Sequence, residues 1–397
     1  MRQPTHCRLV TRLDNALKQP DMGVSPQCPV RDIGHGPVSW IELELAAFAN
    51  NLSEIRRLTC GRPRLYQVCK GDGYGLGLER VIDLGRAAGI DCFCVGDPSE
   101  ARRARVRAPE SQILLFVSTL PEDLPAICAD GIDVTVTSLA ALHAICEMHA
   151  PCHFFFEVDV GFGRFGIPRH RWDECLRTYL NQSTAVCRGV YSHLGHVDEP
   201  DLTRRLARFD EFIASMKALV PHKFETMIAS SHTLLQRPDL AYTAIDPGRL
   251  LYGLMETKYL GGLRTRPVLA AIRSKIIEIT RPEPNESMKI AYGEAMSFDA
   301  DTRLGVFPIG WLAGLSARPP YGEVVIHGQL APVVGRTLLH SIVNLTGIAT
   351  AQIASVATLV GDGYDLERMA AAQNVSATEL HFKLGRSLPH VVIDQGA

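Results

Sequence analysis

No stretch of this chain is apolar for long enough to cross a bilayer. Apolar runs such as residues 113–117 and 154–156 are far shorter than the roughly 20 residues a spanning helix needs. They read instead as buried strands. Neither sign of charge is in excess: 41 Lys and Arg against 43 Asp and Glu leave a net −2. The two signs are interspersed, which excludes the basic footprint of a nucleic-acid or anionic-membrane binder. Internal repeats and low-complexity segments are also lacking. Cysteine is not scarce, at 11, but ordered cysteine spacing is absent. Cys92 and Cys94 stand one residue apart in an apolar run and should face opposite sides of a strand, which suits neither a redox pair nor a zinc knuckle. The cysteines are therefore expected to be mostly buried small hydrophobes in a reducing compartment. Residues 1–36 lack the apolar core of a signal peptide and are expected to form an irregular extension. Their arginines leave an organelle-targeting reading open, against which Asp14 and Asp21 weigh, so the cytoplasm is the expected location.

What is present is the composition of a soluble globular protein, 46% hydrophobic and 21% charged, long enough at 397 residues for about two domains. From residue 38 to 252 short apolar runs alternate with amphipathic segments. Strands are expected at 40–42, 65–69, 92–95, 113–117, 132–136, 154–158, 189–193, 227–229 and 250–252. Helices are expected at 43–59, 78–88, 98–107, 139–150, 171–181 and 202–219. About eight strand-helix units argue for a closed (β/α)8 TIM-type barrel over residues 37–265. An open doubly wound sheet is the alternative, disfavoured because no dinucleotide fingerprint follows the first strand. After residue 260 long helices give way to strand-like runs punctuated by Pro319-Pro320, His327-Gly328 and Asp362-Gly363. A mostly antiparallel β domain over 266–397 is expected, closing with a helix near 366–373.

The most informative segment is Lys70-Gly71-Asp72-Gly73-Tyr74-Gly75-Leu76-Gly77. A lysine at a strand end faces whatever pocket lies above the sheet, and its amine can form a Schiff base with a carbonyl cofactor. The glycines permit close backbone approach or turns that residues with a Cβ avoid. Taken alone, an ordinary turn bearing a solvated lysine fits equally well.

The segment resembles the pyridoxal-phosphate lysine motif of the alanine racemase family, and the likeness recurs in order along residues 37–395. Glu157 to Gly166 is similar to the family's arginine-bearing segment, and Ser192-His193-Leu194 with Asp198-Glu199 to its histidine stretch. Ser230-Ser231, Pro247-Gly248 with Tyr252-Gly253, Ala291-Tyr292-Gly293, Pro308-Ile309-Gly310 and the run from Ala331 to Arg336 follow. The resemblance implies a barrel plus a β domain, pyridoxal 5′-phosphate, and a homodimer whose active sites are shared. It makes Lys70 the Schiff-base lysine and one catalytic base. Tyr292 of the partner subunit would be the other, although a tyrosine of the β-domain core remains an alternative for that residue. Two bases suit racemisation, which removes a proton from one face of Cα and delivers one to the other. The resemblance further implies Tyr74, Ser231 and the amides of Gly248 and Arg249 at the phosphate, Arg164 at the phenolic oxygen and His193 along the ring. By itself His193 could equally be a core histidine. A metal reading of His193, His196, Asp198 and Glu199 is disfavoured by their place in the pattern.

Departures from the pattern bear on the substrate. Asp246 stands where the family carries an arginine against the pyridine nitrogen; either it favours a protonated ring or it turns away and pairs with Arg249. Trp311 replaces a tyrosine, Leu339 and His340 replace the family's Met-Asp, and Val392 replaces a tyrosine. Glu157 stands where many members have a carbamylated lysine, so it is expected to orient Arg164 as a built-in carboxylate. The expected function is a pyridoxal-phosphate-dependent amino-acid racemase or epimerase whose small-molecule substrate is not restricted to alanine. The alternatives are another reaction of the same cofactor through a stabilised quinonoid (decarboxylation, aldol cleavage, elimination, transamination) and a non-catalytic cofactor binder. No nucleic acid, membrane or metal is expected.

Overall fold

The structure is a computed structural model that describes residues 36–116, 118–148, 151–181, 185–195 and 198–393. The extension expected over residues 1–36, apart from Gly36, and the His196 of the disfavoured metal reading lie outside the described residues. Two compact units are present, one of Ala49–Gly73 and Gly77–Arg266, the other with Tyr74–Leu76 and residues 36–48 and 267–393.

The strand expected at 40–42 forms as β1 (Ser39–Leu43), but not as part of the barrel. It pairs antiparallel with Leu269–Lys275 and parallel with His390–Val392, far along the chain. Alternation alone cannot name a strand's partner, which long-range backbone pairing decides.

The barrel strands are β2 (Arg64–Leu65), β3 (Gln67–Val68), β4 (Cys92–Val95), β5 (Gln112–Leu115), β6 (Val134–Val136), β7 (Cys152–Glu157), β8 (Ala185–Tyr191), β9 (Glu225–Ser230) and β10 (Ala244–Asp246). All their pairings are parallel. β2 and β3 are two halves of one strand interrupted at Tyr66, whose amide still donates to Ile245 at 2.8 Å. That strand pairs with β10 on one side and β4 on the other, and paired hydrogen bonds between Ile113, Leu115 and Asp133 join β5 to β6. Eight strands therefore close on themselves, each followed by a helix on the outside. The last of them corrects the sequence reading. Residues 250–252 belong to the short helix Gly248–Leu251 and its cap, and Ala244–Asp246 is the strand. A three-residue apolar run does not separate a strand from one turn of buried helix.

Side chains alternate across the barrel wall. Phe155 points inward against Tyr66, made possible by Gly189 opposite it on β8, where any Cβ would strike the Phe155 ring. Phe154 and Phe156 point outward and meet Tyr179 and Phe212 of the surrounding helices edge-to-face. Cys69, Cys92, Cys94, Cys146, Cys175 and Cys187 are buried in this unit. Cys128 and Cys152 depart from the reduced expectation: their sulfurs are joined, with Cα atoms 5.6 Å apart, linking the helix Leu124–Ala129 to β7.

In the second unit β11 (Leu269–Lys275), β12 (Glu278–Thr280), a hairpin of β13 (Ser287–Lys289) and β14 (Ala295–Ser297), β15 (Leu304–Phe307), β16 (Glu323–Ile326), β17 (Gln329–Arg336), β18 (Ser341–Asn344), β19 (Val356–Val360) and β20 (His390–Val392) follow. Nine of these strands, β1 included, form one sheet in the order β12-β15-β18-β17-β16-β19-β11-β1-β20, antiparallel except at β1–β20. Two helices, Leu366–Ala372 and Ala377–Gly385, close it. His381 of the second helix is fully buried, and burial pushes its imidazole down to about 4. A base held neutral in the fold takes up its proton more readily when unfolded, so stability falls as pH drops below the ordinary value near 6.5 and levels off near 4. The expected result is that His381→Leu, compared with the native chain in urea unfolding at pH 7.5 and pH 4.5, removes up to about 3 kcal/mol of the acid-induced loss.

Candidate active site

The chain leaves β3 at Lys70 and enters a left-handed turn. Gly71, Asp72 and Gly73 have φ of 69°, 56° and 64°, and Tyr74 follows at 60°. Glycine adopts this region freely, whereas Asp72 and Tyr74 are strained there and need anchors. Glu100, 6% exposed, supplies one: its carboxylate accepts the Asp72 amide at 2.6 Å and the Gly96 amide at 2.8 Å. Asp72 in turn accepts the Leu78 amide and pairs with Arg103. Gly96 makes room for the lysine, since a Cβ there would lie 2.9 Å from that of Lys70. Glu100 and Gly96 escaped the sequence reading. The only trace of them is Asp97 three residues before Glu100, a helix N-cap accepting the Glu100 amide at 2.9 Å.

The Lys70 amine sits 5.8 Å from the centre of the Phe116 ring. Its side chain reaches solvent at the mouth, yet surrounding protein strips enough water to hold the amine below its ordinary value. Arg164 pushes the same way and Asp246 opposes. Arg164 lies over Phe162 at 5.1 Å and Phe165 at 5.2 Å, and 4.0 Å from the buried Glu157. Glu157 is pushed up by burial and steadied by the Tyr191 hydroxyl, which donates at 3.1 Å and lies 3.1 Å from Thr135. Tyr191 and Thr135 are further residues that no motif announced. His193 packs edge-to-face on Phe162 at 4.7 Å, and burial and then Arg164 push it down to about 4, so it is neutral at pH 7. Burial pushes Asp246 up to about 7, with Lys70 acting against the shift. Among the described residues no ion pair joins Asp246 to Arg249. No three His, Cys, Asp or Glu side chains among the described residues gather as a metal site.

Ser231 opens the helix after β9; it is buried, and its hydroxyl accepts the Leu250 amide at 3.0 Å. That bond brings Ser231 to the turn of Gly248 and Arg249. Tyr252, at the end of the same turn, donates to the Val68 carbonyl at 2.8 Å and ties the turn to the lysine's strand. The first unit thus gathers Lys70, Arg164, Glu157, His193, Ser231, Asp246, Gly248 and Arg249 at the C-terminal ends of the barrel strands, the end where barrel enzymes carry their chemistry. A cavity of about 1040 Å³ lies at the opposite end. Several of its charged groups pair with one another, Arg64 with Asp91 and Glu225, and Arg188 with Asp133.

The remaining predicted residues lie in the second unit. Tyr74 is buried, its ring 4.8 Å from that of Phe382. Tyr292, between β13 and β14, is 73% exposed and so is no core tyrosine. Its carbonyl accepts the Tyr321 hydroxyl at 3.0 Å, and the Tyr321 ring lies over the buried Arg336 guanidinium at 4.9 Å. Trp311 and His340 meet at one turn: the Trp311 amide donates to Thr337 at 3.2 Å and the His340 amide to the Thr337 hydroxyl at 3.1 Å. Leu339, in the same turn, is exposed. Val392 ends β20 beside Leu43.

Comparison with known proteins identifies the family and the fold. The family model described as the alanine racemase N-terminal domain matches residues 43–256, and the C-terminal domain model matches residues 269–392. An alanine racemase of Yersinia pestis is 31% identical over 350 residues, covering 84% of this chain and 93% of that protein. One of Methanococcus maripaludis is 26% identical over 358 residues, 87% of this chain and 93% of that one. The fold of the Clostridium difficile 630 alanine racemase matches with a TM-score of 0.82 at 20% identity, over 90% of this chain and 96% of the other. With both domain models matched in order and the barrel and β-rich units in place, the chain belongs to the alanine racemase family.

Proposed function

We propose that this protein is a pyridoxal-phosphate-dependent amino-acid racemase or epimerase, acting on a small-molecule amino acid not restricted to alanine. The observation that carries the reading is Lys70: a primary amine held below its ordinary value, on a strained turn at the C-terminal mouth of a parallel barrel. The donor set fits the cofactor. Lys70 offers the amine, with Gly96 leaving space beside it; Ser231 and the Gly248–Arg249 turn offer a hydroxyl and amides for a phosphate; Arg164 offers a fixed cation. Bound there, the cofactor supplies an electron sink for charge developing at the substrate Cα.

The chain's own residues do the rest. A lowered amine value keeps a larger share of Lys70 as free base near neutrality, able to take a proton from one face of Cα. Glu157, steadied by Tyr191, restrains Arg164 so that its charge stays in one place. Tyr292 of the partner subunit serves as the opposite base in a homodimer with shared active sites. Its exposure on a single chain, with Tyr321 holding its carbonyl from behind, supports that role. Trp311, Leu339 and His340, at family substrate positions, support a pocket unlike that for alanine.

In D2O the native enzyme is expected to exchange the Cα hydrogen of at least one member of a panel of single L-amino acids. Tyr292→Phe should retain cofactor on Lys70 and lose exchange in one stereochemical direction by roughly 10²–10⁴-fold. Absence of exchange with every amino acid would sink the proposal. Asp246 favours a second reading, a different reaction of the same cofactor; mass spectrometry of products separates the two, since racemisation in H2O leaves substrate mass unchanged.

A further inference from the structure

Glu157 and Asp246 both bear on the barrel mouth, and they are not equivalent. Glu157 is engaged, by the Tyr191 hydroxyl at 3.1 Å and by Arg164 at 4.0 Å. Asp246 has no such company. Among the described residues no side-chain donor reaches its carboxylate, and Lys70, the cation that bears on it, forms no ion pair with it within 4 Å. Beyond Lys70, a hydrogen bond from its own backbone is all that eases it, and a carboxylate so poorly satisfied inside a protein is costly. Its placement is also specific. Asp246 ends β10, which runs in parallel register beside the strand leading to Lys70, Ala244 against Arg64 and Ile245 against Leu65. On its other side it stands opposite Ser230, one residue before the buried Ser231, and Pro247 limits the backbone just beyond it. Asp246 thus lies between the lysine strand and the Ser231 turn, half-buried at the end of its strand.

We propose that Asp246 is the charge and hydrogen-bond partner of the pyridine nitrogen of the cofactor held by Lys70, keeping that nitrogen protonated through the neutral range. The inference rests on the cofactor reading above. An ionised carboxylate is an acceptor only, so its complement is an N–H donor carrying positive charge, which a protonated pyridine provides and a neutral one does not. The groups that face Asp246 are Lys70, Glu157 and Cys94. Cys94 is buried and pushed well above the ordinary thiol value, so it stays neutral. Once Lys70 is bound to the cofactor its charge is committed there, and the ring nitrogen becomes the site that neutralises Asp246. A protonated ring draws electron density more strongly from the substrate Cα, so the mouth favours deprotonation of amino acids with weakly acidic Cα hydrogens.

The test uses the holoenzyme loaded with pyridoxal phosphate carrying 15N in the ring, with the 15N chemical shift followed from pH 6 to 9. The native protein should show a protonated ring nitrogen throughout. Asp246→Asn, nearly isosteric, should move the signal to the unprotonated position and raise the cofactor dissociation constant about tenfold, the loss of one charge-assisted hydrogen bond. An unprotonated ring in the native holoenzyme overturns the proposal whether or not the variant folds, and so does a signal that Asp246→Asn leaves unmoved. Failure of the underlying reading looks different: borohydride treatment would then leave no cofactor-modified Lys70 peptide in the native protein.

Discussion

Lys70→Ala is expected to abolish covalent cofactor attachment and to lower Cα exchange by at least roughly 10³-fold. The loss is large because one side chain both holds the cofactor and removes a proton, and general-base contributions alone reach roughly 10²–10⁴-fold. The chain offers no substitute: the lysine's place depends on the left-handed turn, on Glu100 bonding the Asp72 and Gly96 amides, and on the room left by Gly96. Borohydride reduction followed by peptide mass analysis measures attachment, and D2O exchange measures the base. Folding should be little changed, because the side chain reaches solvent and forms no ion pair or hydrogen bond among the described residues. A variant still modified at another lysine with near-native exchange would refute the assignment.

Arg336→Ala should produce the largest loss of stability, about 4 kcal/mol. Arg336 is 1% exposed and has no carboxylate partner among the described residues; burial pushes its guanidinium down to about 10. Its donors reach the Ser341 hydroxyl at 2.9 Å, the Ser316 carbonyl at 2.9 Å, Gln373 at 3.3 Å and the Tyr321 carbonyl at 3.3 Å. Truncation leaves those acceptors buried without donors, at about 1–3 kcal/mol for each that water does not reach, and opens a cavity besides. Lysine restores one charge but not the planar fork, so Arg336→Lys should recover less than half of the loss. Guanidinium unfolding monitored by tryptophan fluorescence provides the measurement. A midpoint within about 1 kcal/mol of native would show that the unit does not depend on this residue. Tyr321 lies on Arg336 and holds the Tyr292 carbonyl, so the same substitution should also loosen the segment carrying Tyr292.

The helices at 78–87, 98–107 and 199–219 follow the expected spans closely, because their apolar spacing and N-cap residues are local signals. The barrel strands from 92 to 230 follow for the same reason, as short apolar runs between turn residues. Errors fall where locality fails. Ser39–Leu43 looks like a first barrel strand until its partners, some 230 and 350 residues away, claim it. Ala244–Asp246 reads less clearly as a strand than Leu250–Tyr252, since two apolar residues before an acid carry less apolar signal than Leu-Leu-Tyr.

The family was legible in the order of residues alone, and the same motifs single out Lys70 as the candidate anchor. Ordered motifs are linear information, and glycines flanking a lysine state their backbone requirement directly. Only the tertiary structure decided what surrounds that lysine. Glu100, Gly96, Tyr191 and Thr135 belong to no motif and act by reaching across strands, and the contrast between Asp246, without a side-chain donor among the described residues, and the engaged Glu157 exists only once β7, β10 and the lysine strand converge. Electrostatic and packing interactions depend on distance through space, which the order of residues along a chain does not contain.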